Sequence, residues 1–179
     1  TFQTDRPWES CITICQQWAW KPDDRLKSLK ECVQTLVNTA GGDGNLLLNV
    51  GPMPDGRIEP RQVERLKQIG AWLERYGESV YETRGGPFKP GAYGASTSKA
   101  NRVYLHVFNW QGETLSLPAI DAQIVTAAVL GGVGKAGVEH AGGQILVKVA
   151  ESDRKEPDTV VVFTLDRPAN AVAPVAVAP

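Results

Sequence analysis

The chain has 179 residues, of which 42% are hydrophobic and 22% charged, an ordinary composition for a globular protein. Its 19 Lys and Arg residues nearly cancel its 20 Asp and Glu residues, and a net charge of −1 argues against a nucleic-acid partner, which needs a basic excess. The apolar runs are far shorter than the roughly 20 residues that cross a bilayer, so we expect no membrane partner either.

The first half of the chain begins with a short β-prone run and a helical pattern. Residues 10–14 (SCITI) predict a strand, and an aromatic loop follows at residues 15–22. Apolar residues at helical spacing between positions 26 and 37 predict a helix that Asp23 or Asp24 caps and a Gly-Gly-Asp-Gly sequence ends.

A second strand and helix follow at once. Residues 45–50 (NLLLNV) predict a strand buried on both faces, as in a parallel sheet. Pro60 suits the first turn of the next helix and Gly77 the position just past its end, with four residues pointing inward: Val63, Leu66, Ile69 and Leu73. This alternation is typical of βα units, and two units cannot close a barrel. We therefore expect a missing N-terminal barrel portion or an oligomer partner.

The character of the sequence changes at residues 85–87 (GGP), where we place a domain boundary. Beyond it, short β-rich runs separated by turn residues predict an antiparallel β-sandwich over residues 87–168. The runs are 103–108, 114–117, 124–130, 145–149 and 160–165. Residues 169–179, rich in Ala, Val and Pro, predict an extended tail.

A glycine motif at residues 132–137 (GVGKAG) fits the G-x-G-x-x-G pattern of phosphate-binding loops. No helix pattern follows it, so we interpret it as a hairpin loop. The two histidines and three cysteines show no ligand spacing, and we expect no metal ion and no cofactor.

Aromatic residues around the first strand suggest carbohydrate chemistry. If residues 10–14 form a barrel strand, Trp18 lies on the loop at its C-terminal end, where barrel enzymes build their active sites. Aromatic rings pack against the apolar face of a sugar, and carboxylates such as Glu9 supply acid–base chemistry. The alternative is that Trp8, Trp18 and Trp20 pack between helices and barrel, and that Glu9 pairs with Arg6.

Several segments of the sequence resemble a known family. Residues 8–11 (WESC) resemble the Trp-Glu-x-Cys core of the α-L-fucosidases, glycoside hydrolase family 29, and residues 44–52 (GNLLLNVGP) resemble that family's Gly-Asn-Leu-Leu-Leu-Asn-x-Gly-Pro signature. Three further segments are similar to its last barrel helix: 62–66, 70–73 and 77–81. The resemblance is collinear over residues 2–86 and weak over the predicted sandwich.

The resemblance implies a fold of an α/β part followed by an all-β part. Residues 1–86 would be the last two βα units of a (β/α)8-type barrel, and the β-sandwich would follow. The implied activity is hydrolysis of terminal α-L-fucose from glycoconjugates by a retaining double displacement, mostly in a secreted or periplasmic location. The nucleophile Asp of the family has no match in this chain, so we expect the chain alone to be inactive.

The resemblance also implies roles for single residues. Glu9 is a candidate acid/base, or a carboxylate that supports the site, and Trp18 lines the fucose pocket near the sugar's methyl group. Cys11 belongs to the family signature, and Trp20 and Asn49 are candidate supporting residues. From the residues alone, Asn49 either orients a catalytic group or fastens the loop at residues 51–52.

A rival hypothesis is that the sandwich is a carbohydrate-binding module without catalytic activity. Its aromatic platform would consist of Tyr104, Phe108 and Trp110, if the face that carries them is exposed. A third possibility is that the sandwich only braces the barrel.

Overall fold

A computed structural model of the chain describes residues 2–110, 112–132 and 134–178. Its first part contains two parallel strands, β1 (Glu9–Thr13) and β2 (Asn45–Asn49), which pair along their whole length. Helix α1 (Leu29–Gly41) joins the strands, and helix α2 (Pro60–Tyr76) follows β2. The predicted order of strand, helix, strand and helix is confirmed, and so is the parallel pairing. No helix in the described ranges has the length and apolarity that a membrane crossing requires.

Helix α1 begins later than the sequence predicted, because its cap is Ser28. The Ser28 hydroxyl accepts a hydrogen bond from the Glu31 amide at 3.1 Å, and the Glu31 carboxylate accepts one from the Ser28 amide at 2.8 Å. This reciprocal arrangement is a capping box. The hydrogen bond from Arg25 is the main cause that lowers the pKa of Glu31 to about 2. The prediction that Asp23 or Asp24 caps the helix is wrong.

Two predictions about buried faces also need correction. Strand β2 is covered on one face only: Leu48 is partly buried against the core beneath the helices, whereas Leu47 is 51% exposed. On α2, Ile69 is buried as predicted, but Val63 and Leu66 are exposed. Periodicity shows that a face is apolar, but it does not show whether the element that covers the face lies in the same stretch of chain.

The second part consists of two antiparallel sheets with the strand orders β3-β4-β5-β10-β7 and β6-β9-β8. All five predicted runs form strands. The strands are β3 (Arg84–Gly85), β4 (Gly94–Lys99), β5 (Arg102–Val107), β6 (Thr114–Pro118), β7 (Ile124–Val129), β8 (Ala136–Ala141), β9 (Gln144–Val149) and β10 (Thr159–Leu165).

Strands β3, β4 and β8 lie outside the predicted runs. Strand β3 has only two residues, and β4 and β8 (GASTSK and AGVEHA) have one β-branched residue each and no Phe, Tyr or Trp, so they carry a weak strand signal. The glycine motif at residues 132–137 falls at the turn between β7 and β8. An antiparallel bridge between Ala128 and Lys135 closes this turn, in agreement with the predicted hairpin loop. Val133 of the motif lies outside the described residues.

The five-stranded sheet has one core on each face. On one side it shares an apolar core with the three-stranded sheet, built around residues such as Phe88, Leu105 and Phe163. On the other side Tyr104 and Val160 pack against the two helices. The helices therefore rest on the sheets through a continuous apolar contact.

The C-terminal segment is extended, as predicted, apart from one short 3-10 turn at Ala169–Ala171. It is held against the sheets, since Val172 is buried and Val175 forms a parallel bridge with Phe88. Pro179, the last residue of the predicted tail, lies outside the described residues.

Candidate functional site

The C-terminal ends of β1 and β2 lie side by side. Thr13 is in register with Asn49, and the Ile14 amide donates a hydrogen bond to the Asn49 carbonyl at 2.9 Å. Two loops leave this edge: residues 15–24, which we name the Trp18 loop, and residues 50–59, which lead into α2. The edge therefore brings together loops that are far apart in the sequence.

Trp18 is at the tip of this arrangement, with 57% of its surface exposed. Its backbone carbonyl accepts a hydrogen bond of 2.9 Å from the Asn49 side-chain amide. Of the two roles considered for Asn49, the geometry agrees with fastening, but the fastened segment is the Trp18 loop and not the loop at residues 51–52.

Trp20 lies deeper, where the two loops cross. A Cβ atom on Gly51 would lie 2.6 Å from the backbone nitrogen of Trp20, so only glycine permits this approach. The side chain of Gln62, which is buried in α2, accepts a hydrogen bond from the Gly51 amide at 3.3 Å. The indole nitrogen of Trp20 is buried near the Glu59 carboxylate, without a hydrogen bond of normal geometry.

Polar side chains secure the base of the Trp18 loop. The Asp24 carboxylate accepts hydrogen bonds from the backbone amides of Gln16 and Gln17 at 3.1 and 2.8 Å. The Lys27 ammonium donates to the carbonyls of Thr13 and Cys15 at 2.6 and 3.0 Å. The sequence suggested neither role, because these contacts link residues without any regular spacing.

Glu9 and Cys11 lie away from this edge. Glu9 is the first residue of β1 and Thr13 the last, so the two are roughly 13 Å apart along the strand. Both Glu9 and Cys11 are exposed on the face of the sheet that also exposes Leu47. The structure thus groups Trp18, Trp20 and Asn49 at one end of the strands and places Glu9 at the other.

The three sandwich aromatics do not form an exposed platform. Tyr104 is buried, and Phe108 is partly buried in the same contact with the helices. The Arg154 guanidinium covers the ring of Trp110 at 4.3 Å, and the indole donates to the Thr159 hydroxyl at 3.3 Å. Within residues 2–110, 112–132 and 134–178, no three His, Cys, Asp or Glu side chains are grouped to hold a metal ion.

Comparison with known sequences points to one family. The family model for α-L-fucosidase matches residues 1–78. The plasma α-L-fucosidase of Homo sapiens is 35% identical over 112 residues, which are 58% of this chain and 24% of that protein. The α-L-fucosidase of Branchiostoma floridae is 33% identical over 138 residues, which are 69% of this chain and 30% of that protein. The chain therefore spans less than a third of the length of these two relatives.

Solved structures extend the similarity into the sheets. α-L-Fucosidase isoenzyme 1 from Paenibacillus thiaminolyticus superposes with a TM-score of 0.80 at 27% identity, over 89% of this chain and 40% of that one. The family 29 α-L-fucosidase from Bacteroides thetaiotaomicron, solved as a trapped covalent intermediate, gives the same TM-score and identity over 89% of this chain and 38% of its own. The motifs, the fold and the relatives agree that the chain, which spans part of the length of these proteins, belongs to the α-L-fucosidase family.

Proposed function

We propose that this chain is part of a retaining α-L-fucosidase and that it holds Trp18 at the sugar-binding end of a catalytic barrel. In this proposal β1 and β2 are the last two strands of a (β/α)8-type barrel, and the two antiparallel sheets form the β-sandwich behind it. The observation that carries the proposal is the parallel pair β1–β2, with an exposed tryptophan fastened at its C-terminal edge. Barrel enzymes build their active sites at this edge.

The exposed face of the strand pair supports the barrel assignment. Leu47 is 51% exposed, and Cys11 beside it in register is exposed as well. In a closed barrel this face would point into the interior, where the side chains of other strands fill the space. We propose that upstream strands supply those side chains.

A double-displacement mechanism agrees with the covalent intermediate trapped in the Bacteroides thetaiotaomicron fucosidase. Retaining glycosidases need two carboxyl groups about 5–5.5 Å apart, one as nucleophile and one as acid/base. The nucleophile Asp is expected on an upstream strand. The position of Glu9, at the far end of β1 from Trp18, favours a supporting role for its carboxylate over that of the acid/base.

The substrate would be a terminal α-L-fucose of a glycoconjugate. Its methyl group and apolar face would pack on the Trp18 indole, since aromatic rings bind apolar surface with defined geometry. No cofactor enters this chemistry. A secreted or periplasmic location, where fucosylated glycans occur, is part of the same proposal.

For the two sheets we propose a bracing role. The five-stranded sheet packs against α1 and α2 through one face, and the aromatics Tyr104 and Phe108 are part of that contact. This packing favours a brace over an independent carbohydrate-binding module.

The location of the nucleophile can be tested with the purified chain. We expect no hydrolysis of an aryl α-L-fucoside, because the proposal places one of the two required carboxyl groups on an upstream strand. Measured turnover that survives further purification would contradict the upstream position of the nucleophile.

The role of Trp18 can be tested in a polypeptide that also contains the upstream barrel. Trp18→Ala should weaken fucose binding by about 3 kcal/mol at most, the loss expected for an aromatic contact. The matched control is Tyr81→Ala, because Tyr81 is also 57% exposed but lies outside the Trp18 edge. Equal affinities in both variants would show that Trp18 does not face the sugar.

A further inference from the structure

We propose that Asp24 is a positioning residue that fixes the Trp18 loop, and thereby sets where the Trp18 indole stands at the strand edge. The proposal deepens the proposed function and rests on it only for the identity of the ligand that Trp18 meets. The control of the loop by Asp24 is a statement about this chain alone.

The geometry of Asp24 differs from that of a surface carboxylate. Asp24 is only 5% exposed, although it lies in a loop whose neighbouring residues are mostly exposed. One carboxylate oxygen accepts from the amides of Gln16 and Gln17, and the other accepts from the Arg25 amide at 2.9 Å. A single side chain therefore closes a ring of backbone around the tip that carries Trp18.

Few other contacts could hold Trp18, the residue at the tip of the loop. In the described part of the chain, the hydrogen bond from Asn49 to the Trp18 carbonyl is the one side-chain bond to the tip itself. Gly51 lets the second loop approach but adds no polar bond to Trp20. Hydrogen bonds to an ionised group are roughly twice as strong as neutral ones, so the Asp24 bonds to Gln16 and Gln17, like those of Lys27 at the base of the loop, are stronger than the neutral bond from Asn49.

The surroundings keep this carboxylate ionised. Backbone hydrogen bonds, that of Gln17 first, lower the pKa of Asp24 from its usual value of 3.8, against the opposing effect of burial. Lys21 of the same loop acts in the same direction. Arg61 of α2 donates to the Asp24 carbonyl at 3.4 Å. In the same loop, burial and then the charges of Asp24 and Glu59 raise the pKa of the Cys15 thiol. The loop is therefore held at neutral pH, and its bonds are lost as the pH falls through the lowered pKa of Asp24.

The test compares Asp24→Asn with Asp23→Asn in the whole chain by amide hydrogen exchange and two-dimensional NMR. Asp23 is the matched control: it is adjacent, exposed and at a φ of 55°, which asparagine tolerates well. We expect the amides of Gln16 and Gln17 to exchange about tenfold faster or more in Asp24→Asn, the effect of losing charge-assisted hydrogen bonds. Asp23→Asn should leave both rates unchanged. Unchanged rates in Asp24→Asn would overturn the proposal.

A second measurement needs no variant. In the unmodified chain, the amide shifts of Gln16 and Gln17 should move together with a single titration below the ordinary pKa of 3.8. If Asp24→Asn does not fold, this titration alone tests the proposal. Amide shifts of Gln16 and Gln17 that do not change in that pH range would overturn it.

The ligand arm carries the same substitutions in a polypeptide that also contains the upstream barrel; it adds L-fucose and follows the indole N–H signal of Trp18, assigned with Trp18→Phe. We expect fucose to shift this signal in the unmodified polypeptide and in Asp23→Asn, and to shift it several-fold less in Asp24→Asn. A full response in Asp24→Asn would overturn the positioning role. No response in the unmodified polypeptide would instead contradict the sugar assignment of Trp18, while the exchange rates still decide what Asp24 does.

Discussion

At the scale of single residues, the chain contains a buried carboxylate that links its two parts. Asp158 is 1% exposed and accepts two hydrogen bonds: one from the Trp72 indole of α2 at 3.2 Å and one from Nδ1 of His106 in β5 at 2.6 Å. A buried carboxylate is stable only when its partners replace the water it has lost. Asp158 therefore ties a helix to a sheet through polar bonds inside an apolar contact.

We expect Asp158→Ala to lower the free energy of unfolding by about 3–5 kcal/mol, because it leaves the Trp72 and His106 donors buried without an acceptor. Urea unfolding measures this loss. The control is Asp121→Ala, whose side chain is 95% exposed and whose removal should change stability by less than about 0.5 kcal/mol. Equal unfolding midpoints for the two variants would show that the buried bonds contribute nothing.

The sequence could single out Trp18 and Asn49 as candidate site residues, but it could not show which residues hold the loop around Trp18 in place. Trp18 follows a predicted strand, and Asn49 ends one, so both stand out against their neighbours. Asp24 could not be identified in the same way. A carboxylate before an amphipathic run looks like a helix cap, and its bonds to amides seven and eight residues upstream follow no repeating pattern.

At the scale of secondary structure elements, the crossing of two loops depends on one glycine. Gly51 comes so close to the Trp20 backbone that a methyl group has no space, and both the Trp18 loop and the start of α2 are held at this crossing. Gly70, in the middle of α2, is the opposite case, because a methyl group there would meet nothing within 4 Å.

The two glycines give opposite predictions for the same substitution. Gly51→Ala should destabilise the chain by about 1–3 kcal/mol, since the added methyl group must push backbone aside. Gly70→Ala should stabilise it by about 0.5–1 kcal/mol, because alanine loses less backbone entropy than glycine in a helix. Thermal unfolding of the two variants against the unmodified chain measures both changes. A stabilising Gly51→Ala would mean that the loops do not cross as closely as described.

The type and order of most elements could be predicted, since Pro60, Gly77 and the Leu-rich run of β2 are strong local signals. The burial of their faces could not. Val63, Leu66 and Leu47 are apolar at the right spacing for a core, yet they are exposed in the described chain. Strand β4 shows the converse, because its small polar residues Ser96 and Thr97 are both buried, Ser96 on the face that carries Phe88 and Thr97 on the face toward the helices. Only tertiary contacts decide such faces.

At the scale of the whole molecule, the two parts share one continuous interior. Val33 of α1 and Trp72 of α2 pack in the same cluster as Tyr104 and Val160 of the five-stranded sheet. Polar contacts surround this cluster: Lys30 pairs with Glu156 at 3.0 Å, and the Gln34 amide donates to the Pro157 carbonyl at 3.3 Å. Neither the helices nor that face of the sheet could lose its partner without exposing apolar surface to water.

This shared interior predicts that the chain unfolds as one unit. In a urea titration followed by NMR, the native amide signals of Val37 in α1 and Leu105 in β5 should disappear with the same midpoint, because exposing either side of the contact costs about 25 cal/mol for each Å² of apolar surface. Asp158→Ala should move both midpoints together. If the helix signals vanished while those of the sheets persisted, the sheets would be stable without the helices. The sheets and helices would then be two separately folding parts that touch, and the sheets would not brace the helices through a shared core.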